Sequence, residues 1–349
     1  MPDSPDGGVL FLAARAGSLE RPPLAGGGLG GEGGGASSGG VRGGGVPRGQ
    51  SGPAAIIGVP LDRTTSFRSG TAAGPVAVRE ASWSLETYSP ALDGELDGEV
   101  LWDLGDVALD ATRPLGADLD AIREAVRRVR RAGLVPVLLG GEHLLTLPAY
   151  QGVLDGMGGA DVPAVLHFDA HADLRDEYEG ERLSHATVMR RVAEVAGPWN
   201  IYQFGVRSGD REETLWARAN VSRVPGTLAG AVREALRALA GRRVWCSVDV
   251  DVLDPAHAPG TGNPEPGGPS AADLLDAVVA VGRAAALGLD RGGIDLVGFD
   301  LVEVSPPLDP SGRTAVLAAK VIRELLIARA MPVNGTGREA GETTGGGRA

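Results

Sequence analysis

Short apolar runs separated by longer mixed stretches organise the chain from Ala54 to Val333. They are Ala54–Val59, Val100–Leu104, Leu134–Leu139, Ala164–Phe168, Ile201–Phe204, Val244–Val250 and Ile294–Phe299. Each is too short for a buried helix and shows little alternation, as expected of strands covered on both faces. Helical patterns lie between several of them. Asp118 is placed to cap a helix carrying Ile122, Val126 and Val129 on one stripe, which Gly133 stops. Ser270 opens another, with Leu274, Val278 and Val279 on its apolar side. Strands alternating with helices predict a parallel sheet with ligands beyond the carboxyl ends of its strands.

The ends of the chain read differently. From Ala25 to Pro53 glycine dominates and little can be buried, so the entropy of ordering would go uncompensated. Residues 1–53 are therefore expected to form a disordered leader, 54–333 the folded domain and 334–349 a flexible tail. Gly28, Gly30 and Gly33 have the dinucleotide-binding spacing, but no strand precedes them and no helix follows, so they carry no site.

Composition narrows the partners. With 33 basic and 45 acidic residues the net charge is −12, the wrong sign for nucleic acid. The single cysteine, Cys246, makes no internal disulfide, and as a strand residue it is expected to be buried. Val9–Ala14 follows Asp3 and Asp6 and is too short for a secretory signal, and no run approaches the ~18 residues of a membrane span. A cytoplasmic protein without membrane partners is expected.

The chemistry concentrates where three apolar runs end in ionisable residues: Gly140-Gly141-Glu142-His143, His167-Phe168-Asp169-Ala170-His171-Ala172-Asp173 and Ser247-Val248-Asp249-Val250-Asp251. An Asp pair at a strand end, such as Asp249 and Asp251, is ordinarily a turn or a cap. Asp-x-His-x-Asp is harder to explain structurally. Read as extended chain, it puts Asp169, His171 and Asp173 on one face, as it does Asp249 and Asp251. Carboxylates so close repel unless cations lie among them. Four carboxylates with two neutral imidazoles would be balanced by two divalent ions. Carboxylate and imidazole donors without thiolate favour Mn²⁺, with Zn²⁺, Co²⁺, Fe²⁺ and Ni²⁺ left open. Two such ions sharing a water bring its pKa toward neutrality, which is hydrolase chemistry. His167 reads as an outer or core residue, and His257 as a loop residue on the rim.

These residues resemble the agmatinase branch of the arginase/agmatinase ureohydrolases. The resemblance runs from Ile57 to about Leu326. It is strongest in His167–Glu181 with Ser184-His185-Ala186, in Ser247–Gly268, and in Gly298–Pro306. It implies a three-layer α/β/α sandwich with a mostly parallel central sheet, two Mn²⁺ per subunit and a homo-oligomer, trimer or hexamer. It assigns His143, Asp169, His171, Asp173, Asp249 and Asp251 to the metals. Asp173 and His185 would handle protons, and Glu303 would pair with the substrate's guanidinium, for which a carboxylate fork is the fitting partner. Three positions depart from the family pattern. Glu142 stands where many members have Asp, Leu144 where Ser is common, and Asn263 where Thr is usual. Leu144 removes a hydroxyl that could have supported a ligand.

The resemblance further implies attack by metal-bridging hydroxide on the guanidinium carbon, releasing urea and an amine. Arg175 stands where the arginase branch has an Asn that holds the amino acid end of arginine, so agmatine is the expected substrate. Guanidinobutyrate or guanidinopropionate is the alternative, with Arg175 or Arg207 pairing with its carboxylate. A formimidoylglutamase, an arginase and a non-catalytic regulatory subunit are more distant readings.

Overall fold

All seven expected strands form, within a nine-stranded sheet in which every pairing is parallel. The computed structural model of the chain describes residues 8–25, 52–98, 101–159 and 161–332. The sheet strands are β1 (Arg15–Ala16), β2 (Ala54–Val59), β5 (Leu101–Asp106), β6 (Val135–Gly140), β7 (Ala164–Phe168), β8 (Ile201–Phe204), β9 (Ser222–Arg223), β10 (Arg243–Asp249) and β11 (Asp295–Val302). Their spatial order is β1-β5-β2-β6-β11-β10-β7-β8-β9. A two-residue hairpin, β3 (Tyr88–Ser89) with β4 (Gly94–Glu95), stands apart.

Side chains alternate between two cores. In β10, Val244, Cys246 and Val248 face one side and Trp245 the other; in β2, Ala54 and Ile56 oppose Ala55 and Ile57. The first side is covered by α1 (Gly74–Ser82), α6 (Leu228–Ala238), α7 (Ala271–Leu287) and α8 (Arg313–Ala330). The second is covered by α2 (Leu115–Arg131), α3 (Thr146–Gly156), α4 (Val188–Ala196) and α5 (Arg211–Asn220). This is the expected three-layer α/β/α sandwich, and the alternation of period two explains why both faces are apolar. Cys246 is fully buried in it. No helix among the described residues is long and apolar enough to cross a membrane.

Two local expectations change. Ser270 caps α7 as expected, with a reciprocal Ser270–Asp273 capping box. Asp118 does not cap α2. That helix begins one turn earlier, after Pro114, whose φ of −54° suits a helix start. Asp118 is buried in the first turn, where it accepts from Arg63 at 2.9 Å and from the Asp110 amide at 3.0 Å.

The second change concerns the expected leader. Residues 8–25 belong to the fold: β1 pairs with β5, Phe11 is fully buried, and the Phe11 amide donates to Asp103 Oδ2 at 2.9 Å. The Leu10-Phe11-Leu12 cluster is too short to show a period, so only its tertiary partners reveal it. The stretch 26–51, with its three spaced glycines, and the expected tail 334–349 lie outside the described residues.

Candidate metal centre and active site

The carboxyl ends of β6, β11, β10 and β7, four neighbours at the middle of the sheet, lead into the expected site residues. His143 follows β6, Glu303 follows β11, Asp249 ends β10, and Asp169, His171 and Asp173 follow β7. Gly141 makes the approach to His143 narrow. A Cβ there would lie 2.0 Å from the Leu61 carbonyl oxygen, so only glycine lets the loop after β2 pack against it.

The acids converge through turns rather than through an extended face. β7 stops at Phe168, and Asp169 Oδ1 accepts the His171 amide at 2.6 Å. β10 ends likewise: Asp249 Oδ1 accepts the Asp251 amide at 2.8 Å. Each aspartate thus closes a tight turn with one oxygen and turns the other toward the site. Asp173 sits at φ 53° and Glu303 at φ 65°, left-handed conformations uncommon for non-glycine residues and characteristic of functional sites.

Their common target is His143. Its Nδ1 lies 3.1, 3.2 and 3.3 Å from carboxylate oxygens of Asp169, Asp173 and Asp249. The other ring nitrogen, Nε2, meets Ser247 Oγ at 2.9 Å, and Ser247 donates its own hydrogen to Asp300 at 2.6 Å. Ser247 can then only accept from His143, which puts an imidazole hydrogen on Nε2 and leaves Nδ1 as the nitrogen that faces the carboxylates. Three carboxylates gathered in a fully buried place are untenable without positive charge among them: burial would lower the His143 pKa, but Asp169, Asp173 and Asp249 raise it well above the ordinary imidazole value. On the other side of Asp169, His171 Nδ1 is 2.9 Å from Asp251 and 3.5 Å from Asp169. Burial would lower the His171 pKa, but Asp169 and Asp251 overcome it and push it up to about 12. Burial and the neighbouring carboxylates raise Asp173, Asp249 and Asp251 above the usual range. The cluster demands cations, and its donors form two groups that share Asp169, each of which could hold a divalent ion.

His167 belongs to the same group of possible donors as His143, Asp169 and Asp173. It lies within reach of the cluster, but its Nε2 donates to Asp169 at 3.0 Å and its Nδ1 accepts from Gln203 at 3.1 Å. Both nitrogens have partners, an arrangement that suits the outer role expected of it. His257 is an exposed loop residue and does not line the cavity. Leu144 is buried in the aliphatic core, and the outer hydrogen bond to His143 comes from Ser247.

A cavity of about 360 Å³ opens over the cluster, reached by His143, His171, Asp173, Asp249, Asp251 and Glu303. His185 forms part of its wall, with Nε2 3.1 Å from Ser66 Oγ and its ring edge-on to Tyr178 at 6.0 Å. Burial keeps the His185 pKa low, against the pull of the Thr64 backbone. Burial raises the Glu303 pKa, opposed by the His143 amide. Arg175 also lines the cavity, but its guanidinium lies 3.5 Å from Asp210 and 3.6 Å from Glu213 and stacks on Tyr178 at 4.9 Å. Arg207 points elsewhere. It donates to backbone carbonyls that include those of Gly205, Asp251, Val252 and Leu253, and it does not line this cavity.

Sequence reading missed Thr64, Ser66, Tyr178, Ser247 and Asp300. Ser247 opened one of the flagged runs without being given a role, and its position two residues before Asp249 was the available signal. Thr64 and Ser66 lie on the loop after β2, more than 75 residues from the nearest expected ligand, and carried no signal.

The Arginase family model matches residues 53–328. The agmatinase of Bacillus anthracis is 42% identical over 285 residues, which cover 80% of this chain and 93% of that protein. The guanidinobutyrase of Pseudomonas aeruginosa is 35% identical, over 78% of this chain and 85% of its own length. Among solved structures, the agmatine ureohydrolase of Thermoplasma volcanium superposes with a TM-score of 0.69 at 30% identity, over 79% of this chain and 89% of that one. With the family model spanning nearly the whole described domain and these relatives matched over most of their own lengths, this chain belongs to the arginase family.

Proposed function

We propose that the chain is an agmatinase, converting agmatine and water to putrescine and urea with two Mn²⁺ held by His143, Asp169, His171, Asp173, Asp249 and Asp251. The observation that carries the choice of substrate is the state of the cavity's one arginine. Arg175 is flanked by Asp210 and Glu213 and stacked on Tyr178, so its charge is already offset. Glu265 and Glu303 add further carboxylates to the same lining. A substrate with a second cation at its far end suits such a wall; one ending in a carboxylate does not. Arg207, the other candidate for a substrate carboxylate, is occupied by backbone oxygens.

Divalent ions bound in the cluster supply an acidified water at neutral pH. Glu303 Oε1 accepts the His143 amide at 2.7 Å, and its remaining lone pairs hold two guanidinium N–H groups, fixing the plane of the reacting carbon. Asp173 orients the attacking water and takes its proton on a carboxylate oxygen. His185, whose pKa burial lowers, acts as a relay: it takes a proton from solvent on one ring nitrogen as the other gives its hydrogen to the departing amine, so the imidazole ends neutral. The reading includes a cytoplasmic homo-oligomer, trimer or hexamer, which sedimentation of the Mn²⁺-loaded protein tests.

The deciding experiment compares product release from agmatine, 4-guanidinobutyrate, arginine and formimidoylglutamate with Mn²⁺ present. The expected result is the highest kcat/KM for agmatine. Preference for guanidinobutyrate would overturn the substrate assignment, and inactivity on all four with stoichiometric metal would overturn the enzyme.

A further inference from the structure

The loop from Asp62 to Gly70 lends Ser66 and Phe67 to the cavity lining, and its contacts form one connected chain from a buried acid to His185. Glu142 is fully buried beside His143. Its Oε2 accepts the amides of Arg63 at 2.8 Å and Thr64 at 2.6 Å, and its Oε1 accepts the Thr64 hydroxyl at 2.9 Å. Having given its hydrogen to Glu142, Thr64 Oγ1 has lone pairs to offer, and it accepts the backbone N–H of His185 at 3.0 Å. Two residues further along the loop, Ser66 Oγ meets the His185 ring at Nε2. Asp62 braces the loop on itself, accepting the Thr65 hydroxyl at 2.8 Å and the Gly70 amide at 2.7 Å.

His185 needs such an acceptor. It is the first residue of a 3₁₀ turn, His185–Thr187, so its amide has no partner within the turn. Thr64 supplies one from a segment 121 residues away. We propose that Thr64 is a positioning residue: through its hydroxyl, the Glu142 carboxylate sets how far His185 reaches into the cavity, while Ser66 sets the ring's orientation. Glu142 thereby has a task distinct from that of its neighbour His143. It pins the loop that places the proton-handling imidazole. The kinetic part of this inference rests on the agmatinase reading; the structural part does not.

The test uses the full-length protein and its T64V, T64S and S66A variants, loaded with Mn²⁺ for kinetics and with diamagnetic Zn²⁺ for NMR, because Mn²⁺ would broaden the signals of so near a histidine. Five histidines make ¹⁵N-histidine labelling readable, with His185 assigned by its loss in H185N. In T64V the His185 amide is expected to exchange faster with solvent, and kcat for agmatine to fall about 10- to 100-fold with KM within about threefold. Bound metal should be unchanged, and T64S should restore kcat to within about threefold. S66A keeps the loop anchor, so it should alter the His185 ring ¹⁵N shifts and leave amide exchange as in the parent. It decides the matter should T64V not fold. Unchanged His185 amide exchange in T64V, unchanged ring shifts in S66A, or a T64S variant as impaired as T64V would overturn the proposal. Wild-type protein inactive on agmatine would instead overturn the substrate reading, and the labelling data would still decide the role of Thr64.

Discussion

Glu303 and His143 are locked together at the ends of adjacent strands. The Glu303 carboxylate accepts the His143 amide at 2.7 Å, and the Glu303 amide donates to the Gly141 carbonyl at 2.9 Å. The group proposed to hold the substrate and a proposed metal ligand therefore cannot move independently. Replacing Glu303 with Gln keeps an acceptor for the His143 amide but removes the charge facing the guanidinium. E303Q should fold and retain metal while kcat/KM falls about 100-fold, the equivalent of ~3 kcal/mol for a lost charged hydrogen-bond pair. Steady-state kinetics beside elemental analysis check this; a parallel loss of metal would place Glu303 among the ligands instead.

Ser247 fixes the His143 tautomer by accepting from Nε2 while donating to Asp300, which also receives the Trp245 indole at 2.7 Å and the Thr146 hydroxyl at 3.1 Å. In S247A the ring loses the partner that keeps its Nδ1 facing the carboxylates. Metal affinity should drop roughly 10- to 100-fold, as for other outer partners of ligating histidines. Competitive metal titration measures it, and an unchanged affinity would mean that packing alone holds the ring.

Arg207 serves the same site from behind. Its guanidinium ties the Asp251, Val252 and Leu253 carbonyls to the loop at Glu265. A lysine cannot span these acceptors from one ammonium. Both R207A and R207K should lose about 3 kcal/mol of stability in denaturant unfolding, because carbonyls are left without donors. Full rescue by lysine would refute the geometric argument.

The empty cluster also dictates a pH dependence. In chelated protein, His171 has a folded pKa of about 12, above the 6.5 of a free imidazole. Its stabilising contribution is therefore complete below pH 6.5 and is lost as pH rises toward 12. The Asp249 and Asp251 carboxyls, raised above their ordinary 3.8 by burial and by neighbouring acids, act in the same direction from about pH 4 upward. Asp169 differs: burial would raise its pKa, but three imidazoles hold it below the usual range, so it titrates outside this window. Chelated protein should thus lose stability with rising pH. Metal binding needs deprotonated ligands, so the gain in Tm on adding Mn²⁺ should grow from pH 5 to pH 9. Differential scanning calorimetry with chelator and with Mn²⁺ tests this, and a gain independent of pH would contradict it.

Much of the scaffold was legible because burial on both faces leaves a direct mark on composition. The runs that became β2, β6, β7, β10 and β11 had almost no polar residue to place elsewhere. The acids after β7 and β10 were legible for the opposite reason, since clustered charge at the end of an apolar run demands compensation. What failed was the local geometry. Asp169 and Asp249 belong to turns, and an alternation argument applied past the end of a strand could not know that each closes a ring with the amide two residues on.

By itself, then, the sequence determined the layered α/β architecture and the acidic and imidazole groups that converge above it, because strand periodicity and charge repulsion are properties of neighbouring residues. The tertiary structure alone decided that residues 8–25 complete the sheet edge, that Ser247 and Asp300 set the state of His143, and that Thr64 and Ser66 reach His185. Those are pairings between segments far apart in the chain. Hydrogen-bond partners so distant leave no period or spacing to read, and only the packed sheet brings them within 3 Å or so of one another.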